Sequence, residues 1–426
     1  MGHCVPEGSD GGAGIISLID IVDSAYAASF ASSLKEILDA NPDLQPCLDF
    51  EISKDSSSAF LTQSQIPPPC LTSFFSSVNI LREQGATLPE DTNIISLISL
   101  TSLDSCFHKG LQKHLCAPAK EARKLKVIDY LAAHDPIGLA SFTSGASREA
   151  FAWLYALPNS KSMIMTNSLF AQALRRRLLI PENDIPYDSI CDCGQYIDQR
   201  GFHLQTCHKC APKERIDTHD SIKYTFNELV RAAGYPSAME LTTFNYDTSN
   251  GLQNRSKMRL DIITTANFDD NNTFKHTLLD ITIPNAVTRN VTSANAHISG
   301  RVCESASVSK HIKYQDKIVK FNAAHPHRQL NFIPIAIEVQ GKFSSEASKL
   351  FSKLVSKISK NKSSIPFISF FYLRKISISL QSNVSTQIIA AKKKLLHKLD
   401  KQSSKNDSEN SLIFFHNSFK AQQMLE

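Results

Sequence analysis

Hydrophobic spacing changes period several times along the chain, and each change marks an element. Between residue 15 and about 125 the apolar positions, Ile19, Ala25, Ala28 and Phe30 among them, sit among good helix formers, and the triple proline at 67–69 interrupts the pattern. Residues 1–14, rich in glycine and small polar types, predict an irregular start. SREAFAWLYAL (147–157) and NSLFAQALRRRLLI (167–180) predict two amphipathic helices, the second capped by Asn167 or Ser168, and Pro181 and Pro186 close that zone. Ile222, Phe226, Leu229, Val230 and Ala233 recur at helical spacing and predict a helix over 215–233.

The period then shortens. ELTTFNY (240–246), MRLDIITTA (258–266) and HTLLDITI (276–283) read as strands, the last two joined as a hairpin. A long helix at 302–323, a buried strand NFIPIAIEV (331–339) and a further strand IPFISFFYL (365–373) come after them. Between those strands, 344–360 predicts a basic amphipathic helix with lysines 349, 353, 357 and 360 on one face and Leu350, Leu354 and Ile358 on another. The Ser/Asn/Lys-rich stretch 400–411 reads as mobile. A helix–strand–strand–strand–helix–strand order predicts a small mixed sheet flanked by helices, an α/β (α+β) core.

Composition sharpens this picture in two places. With 426 residues, 42% of them apolar, the chain can bury more than one core. Its net charge of +5 is unevenly spread: from residue 301 onward there are 21 Lys+Arg against 8 Asp+Glu, which leaves the first 300 residues net acidic. A basic C-terminal third is an electrostatic footprint for a polyanion. No apolar run approaches the roughly 18–20 residues that span a bilayer, so no membrane partner is expected. Asp20 and Asp23 interrupt the apolar N-terminal stretch, and no signal peptide is expected there.

Four of the ten cysteines crowd between 191 and 210, which points to metal rather than disulfides. Cys191, Cys193, His203 and Cys207 have the spacing C-x-C-x9-H-x3-C, two close pairs that can close a tetrahedron around Zn²⁺. Gly194 and Gly201 permit the tight backbone between them, and His208 and Cys210 stand by as replacement ligands. Four protein ligands leave no open position, so the expected ion is structural.

Four acids, Glu240, Asp261, Asp280 and Glu338, fall inside or beside apolar strand-like runs, where a carboxylate needs a partner, a cleft or a cation. Aspartates on adjacent strands can face one another and hold Mg²⁺, which prefers oxygen ligands. Lys310 and Lys313 share a helix face, extended by Tyr314 and Lys317, and an amine there could orient water or neutralise charge on phosphate.

At these residues a resemblance is visible. AWL…LP, F-x2-ALRRRL, CDCG…GFH…C, R-x3-HD, RLDI, LLDITIP, KHIKY and FIPIAIEVQG follow in order, and together they resemble the C-terminal region of non-LTR retrotransposon polyproteins that use a restriction-like endonuclease. In that family a CCHC zinc knuckle precedes a PD-(D/E)XK nuclease that nicks target DNA to prime reverse transcription. The likeness spans roughly residues 6–345 and is most specific over 150–341; GGAGIISLIDIVDSAYAAS resembles the segment that follows the polymerase.

The resemblance implies a restriction-endonuclease-like core, with Asp261 and Asp280 as Mg²⁺ ligands and Glu240, Glu338, Lys310 and Lys313 as further catalytic candidates. It also implies Arg215, His219, Tyr314 and Lys317 as contacts to nucleic acid. DNA and the element's RNA are the implied partners, and the nucleus the implied compartment. Two departures stand out: Leu260 replaces the proline before Asp261, and Thr282 stands where a lysine is expected two residues after Asp280. No polymerase-type paired aspartate motif is found, so a retrotransposon-derived nuclease lacking its polymerase is expected, with an inactive nucleic-acid-binding remnant or scaffold as the alternative.

The implied organisation is a helical region over 1–145, a helical pair over 146–190 and the knuckle over 191–210. The nuclease core follows over 211–345, and a basic extension over 346–426.

Overall fold

The computed structural model describes residues 23–30, 69–83 and 111–423, together with a few isolated positions between 33 and 42. Short interruptions fall at 157–159, 187–188, 241–259, 266–267, 269–275, 288–292, 328 and 360. The chain forms two compact units, one within the residues up to His134 and one from Asp135 on. In the first, a helical segment at 23–30 accompanies α1 (Pro69–Glu83) and α2 (Leu111–His134). Ala27, Phe74, Val78 and Leu81 are buried, the Phe30 and Phe74 rings lie 4.8 Å apart, and Ser77 Oγ donates to Asp23 Oδ1 at 2.8 Å. Residues 15–22 and 84–110 of the expected helical zone lie outside the described residues.

The second unit is mixed α/β. Its elements are α3 (Pro136–Gly145), α4 (Arg148–Phe151), α5 (Asn167–Arg177), α6 (Phe202–Thr206), α7 (Pro212–Ala232), β1 (Ser237–Met239), β2 (Ile262–Thr264) and β3 (His276–Thr282). They continue with α8 (Ser293–Ala296), α9 (Arg301–Ala324), β4 (Leu330–Ala336), α10 (Ser345–Ile358) and α11 (Ile365–Gln423). The cap of α5 is Thr166, one residue earlier than expected, its Oγ1 accepting from Leu169 N.

From α7 to β4 the helix–strand–strand–strand–helix–strand order holds. The four strands lie in the order β1-β2-β3-β4, antiparallel at the first two joints and parallel at the third. A parallel joint needs a crossover, and α9 supplies it.

Alternation along the strands sorts the core onto two faces. Leu279 and Ile281 of β3, with Ile262 and Ile335, join Ile222, Phe226 and Leu229 of α7, Leu350 and Leu354 of α10, and Leu373, Ile376 and Leu380 of α11. Leu278 points the other way and packs with Leu260, Phe332 and the α9 residues Tyr314 and Phe321. Asp280 is two residues from Leu278, so it shares the α9 face in the middle of a buried strand.

One expectation is corrected. IPFISFFYL is the start of α11, not a strand, because its apolar pattern continues at helical spacing: Tyr372, Leu373, Ile376, Leu380, Val384, Ile388, Ala391 and Leu395 are all buried. Period over many residues outweighs the aromatic and β-branched content of nine. The backbone at 400–411 continues the same helix. Of the strand expected at 240–246, only Glu240 is described, immediately after β1.

Candidate functional site: an acidic row and a cysteine–histidine knuckle

The register of the sheet aligns three acids. Ile262 pairs with Leu279 and with Met239, so one step further Asp261 stands opposite Asp280 and Glu240 opposite Asp261. Glu240 N donates to Asp261 O at 3.0 Å, which holds that register beyond the strand ends. Directly opposed residues have Cβ atoms roughly 4.5–5.5 Å apart on one face. Like charges at that distance repel unless something stands between them.

Asp280 carries the main cost of this arrangement, at 5% exposure. Burial pushes its carboxyl above the usual range and the charge of Asp261 adds to that, while Lys310 and, less, Lys313 pull it back. Lys310 Nζ, reaching down from α9, is 2.5 Å from Asp280 Oδ2. That ammonium is the charge partner of an oxygen otherwise shut away from water. Thr282 cannot supply the missing amine, and the helix does.

Asp261 is held by different means. Its Oδ2 accepts from Ile281 N at 2.6 Å, taking a backbone donor away from the β2–β3 ladder, and it lies 3.3 Å from His219 Nε2. His219, on α7, also reaches Ile281 O at 3.2 Å and Asp220 Oδ1 at 3.3 Å. The hydrogen bond to Asp261 is the main reason its pKa is raised, against burial.

Glu240 has a left-handed backbone, φ +56°, which for a residue with a Cβ costs roughly 1–2 kcal/mol. Lys223 secures it: its ammonium pairs with Glu240 and lies 2.7 Å from Asp220 Oδ1. Burial alone would lower the Lys223 pKa, and the two carboxylates raise it instead. Lys223 was not expected from the sequence. Its spacing from His219 and Asp220 on one helix face is the signal that could have found it.

The remaining candidates separate. Lys313 lies 4.9 Å over the Tyr314 ring, and Lys317 and Arg215 are exposed. Tyr314 is not a surface contact: it is 4% exposed and packs edge-on against Phe332.

Glu338 is likewise corrected. It lies beyond β4 at 1% exposure, its Oε1 accepting from Val302 N and Cys303 N at 3.1 Å each, its Oε2 from Ser144 Oγ. A buried anion at the first turn of α9 complements the helix dipole, so Glu338 anchors the helix that carries Lys310. Glu338→Ala leaves the N–H groups of Val302 and buried Cys303 without their acceptor and is expected to cost about 1–3 kcal/mol. Urea unfolding measures it, and an unchanged midpoint would remove the anchoring role.

The knuckle is local in origin. Gly194 at φ +81° closes a turn in which Cys191 N donates to Gln195 O and Gly194 N to Cys191 O. Asp198 caps α6 through Phe202 N and His203 N at 3.0 and 2.7 Å, aiming His203 back at the turn. The donor atoms of Cys191, Cys193, His203 and Cys207 all lie within 4.8 Å of one another and could hold a metal ion. Burial pushes the Cys207 thiol up, yet the N–H groups of Lys209 and Cys210 and the neighbouring Cys191 outweigh it and bring it down to about 7. Cys210 Sγ is 3.0 Å from Cys191 Sγ, so a fifth donor stands beside the set.

No described helix is long and apolar enough to cross a membrane. No protein-family model matches this chain, and no curated protein matches it either.

Proposed function

We propose that the chain is a magnesium-dependent DNA endonuclease of the restriction-like type, stapled by a structural zinc, and that it derives from a retrotransposon polyprotein. One observation carries the reading: Asp261, just before β2, stands opposite Asp280 of β3 with the amine of Lys310 at the buried side, and the backbone of Glu240 follows β1 beside Asp261. A buried aspartate opposite a second aspartate, with Lys310 as the partner of its inner oxygen, is a costly arrangement that a hard divalent cation could share.

Asp261 and Asp280 would hold the ion, His219 and Ile281 N fixing the first and Lys310 flanking the second. When bound, magnesium supplies the Lewis acidity that polarises a phosphodiester and lowers the pKa of an attacking water. Lys310 is placed to balance charge gathering on the phosphate, and Lys223 holds the carboxylate of Glu240. The order of elements around the row fits a restriction-endonuclease-like core, DNA is the expected substrate with the element's RNA a further partner, and the nucleus is the expected compartment.

Zinc suits the knuckle. Edges of a tetrahedron with ordinary zinc–sulfur and zinc–nitrogen bonds are about 3.6–3.8 Å. The Cys191–Cys207 sulfur pair is 3.5 Å apart and the Cys193–His203 pair 3.4 Å, both close to that size.

A second reading has its own support. Lys310 stands where the ion would neutralise Asp280, and a chain fixed in that state would bind nucleic acid without cutting it. Nicking of supercoiled plasmid separates the two. The full chain is expected to nick with magnesium and Asp280→Ala to fail; equal nicking by both, or none by either, rejects the nuclease.

A further inference from the structure

The first turns of α11 bury one face and leave another in water. Tyr372, Leu373 and Ile376 are in the core, whereas Phe367 is 79% and Phe371 43% exposed. A phenylalanine ring is among the largest apolar groups a fold can bury, and adjacent rings left outside mark a contact surface. They border a cleft of about 320 Å³ lined also by Arg148, Met163, Phe370 and Arg374.

The charge of the cleft narrows what fits it. The Arg374 guanidinium carbon lies 3.9 Å from the Phe370 ring centre and that of Arg148 6.0 Å. Among the described residues neither arginine forms an ion pair, and the buried Nε of Arg374 has no acceptor. The first turn of α11 carries no acidic residue. A purely apolar partner would strip water from two guanidinium groups and return no acceptor for them. The complement is a ligand with flat π faces and regularly spaced negative charge.

We propose that this cleft grips an unpaired nucleic-acid strand, its bases stacking on Phe367 and Phe371 and its phosphates meeting Arg148 and Arg374. Duplex is excluded by the same chemistry, because its bases are already stacked on one another. The cleft shares no side chain with the acidic row, so strand binding persists even if the row proves inert.

Fluorescence anisotropy of the full chain with labelled oligo(dT), oligo(U) and a short duplex, without added magnesium, tests this. Both single strands are expected to bind, and duplex binding is expected to be indifferent to changes in this cleft. The Phe367→Ala/Phe371→Ala variant is expected to weaken strand binding by about 10-fold or more, with Phe367→Trp retaining it. Arg374→Met is expected to flatten the salt dependence by about one unit of slope. Ultraviolet crosslinking of oligo(dT) to the unaltered chain, mapped by mass spectrometry, is expected to mark the start of α11, a readout that needs no variant to fold.

Equal strand binding by the double variant, crosslinks confined to other segments, or no binding by the unaltered chain at low salt would each overturn the proposal. So would sedimentation showing a dimer that Phe367→Ala disperses, which would make this face an interface between copies.

Discussion

Removing zinc is expected to unfold residues 191–210 and to lower the stability of the whole second unit. Structural zinc in peptides of this kind contributes roughly 10–16 kcal/mol of apparent binding energy, most of it folding energy, because the ligands do not converge without the ion. The knuckle is not an appendage. Leu204, Cys207 and Ala211 belong to the same core as α7, the sheet and α11, and Gln387 of α11 donates to Leu204 O and Gln205 O at 3.2 and 3.0 Å. Losing it exposes one flank of the helix that closes the sheet. Native mass spectrometry should find one zinc per chain, lost in Cys207→Ser, and a strong chelator should depress the thermal midpoint. Cys210→Ser is the internal control: Cys210 lies outside the four-donor set, so its removal should leave zinc bound. A purified chain without zinc, indifferent to chelation, would end the structural role.

How much of this was legible depends on how far apart the cooperating residues lie. The knuckle was readable because its four donors fall within seventeen residues and spacing alone fixes their convergence. The acidic row was readable because Asp261 and Asp280 each interrupt an apolar strand run, and a hairpin between the two makes opposition the default. Glu338 interrupts such a run equally well and was misread. Its partner is the N-terminus of α9, brought in by a crossover that leaves no local mark near residue 338. Tyr314 was misassigned for a related reason: helical spacing places it beside Lys310 and Lys313, but only the packed sheet shows that its ring faces Phe332. Lys223 was overlooked because a lysine on an amphipathic helix normally faces water, and here 3% of its side chain does. Tertiary placement of charge, more than secondary structure, is where one-dimensional reading ran out.

Asp280→Asn is the substitution expected to separate function from stability most sharply. It keeps shape and volume but removes the charge that burial and Asp261 both disfavour. Folded-state destabilisation by this carboxylate grows as pH rises from the ordinary aspartate range through the raised value, because over that interval the folded chain holds the proton the unfolded chain has released. Above the raised value the whole penalty is present, and the amide avoids it. The thermal midpoint without magnesium should therefore stay level or rise, Lys310 turning outward from its 25% exposed position.

Magnesium should reverse that ranking. A ligand that binds only the folded state raises its stability in proportion to the logarithm of its concentration over Kd, so the unaltered chain should gain with added magnesium and Asp280→Asn should not. Nicking should fall by more than the roughly 10–100-fold that loss of an outer partner of a metal ligand costs, since Asp280 would touch the ion itself. Paired melting and nicking titrations measure both. If magnesium shifts the midpoint of both proteins equally, the ion binds elsewhere and the row is a structural charge cluster. A lowered midpoint in Asp280→Asn without magnesium would instead mean that the pair with Lys310 already stabilises the sheet, and the row would need no cation.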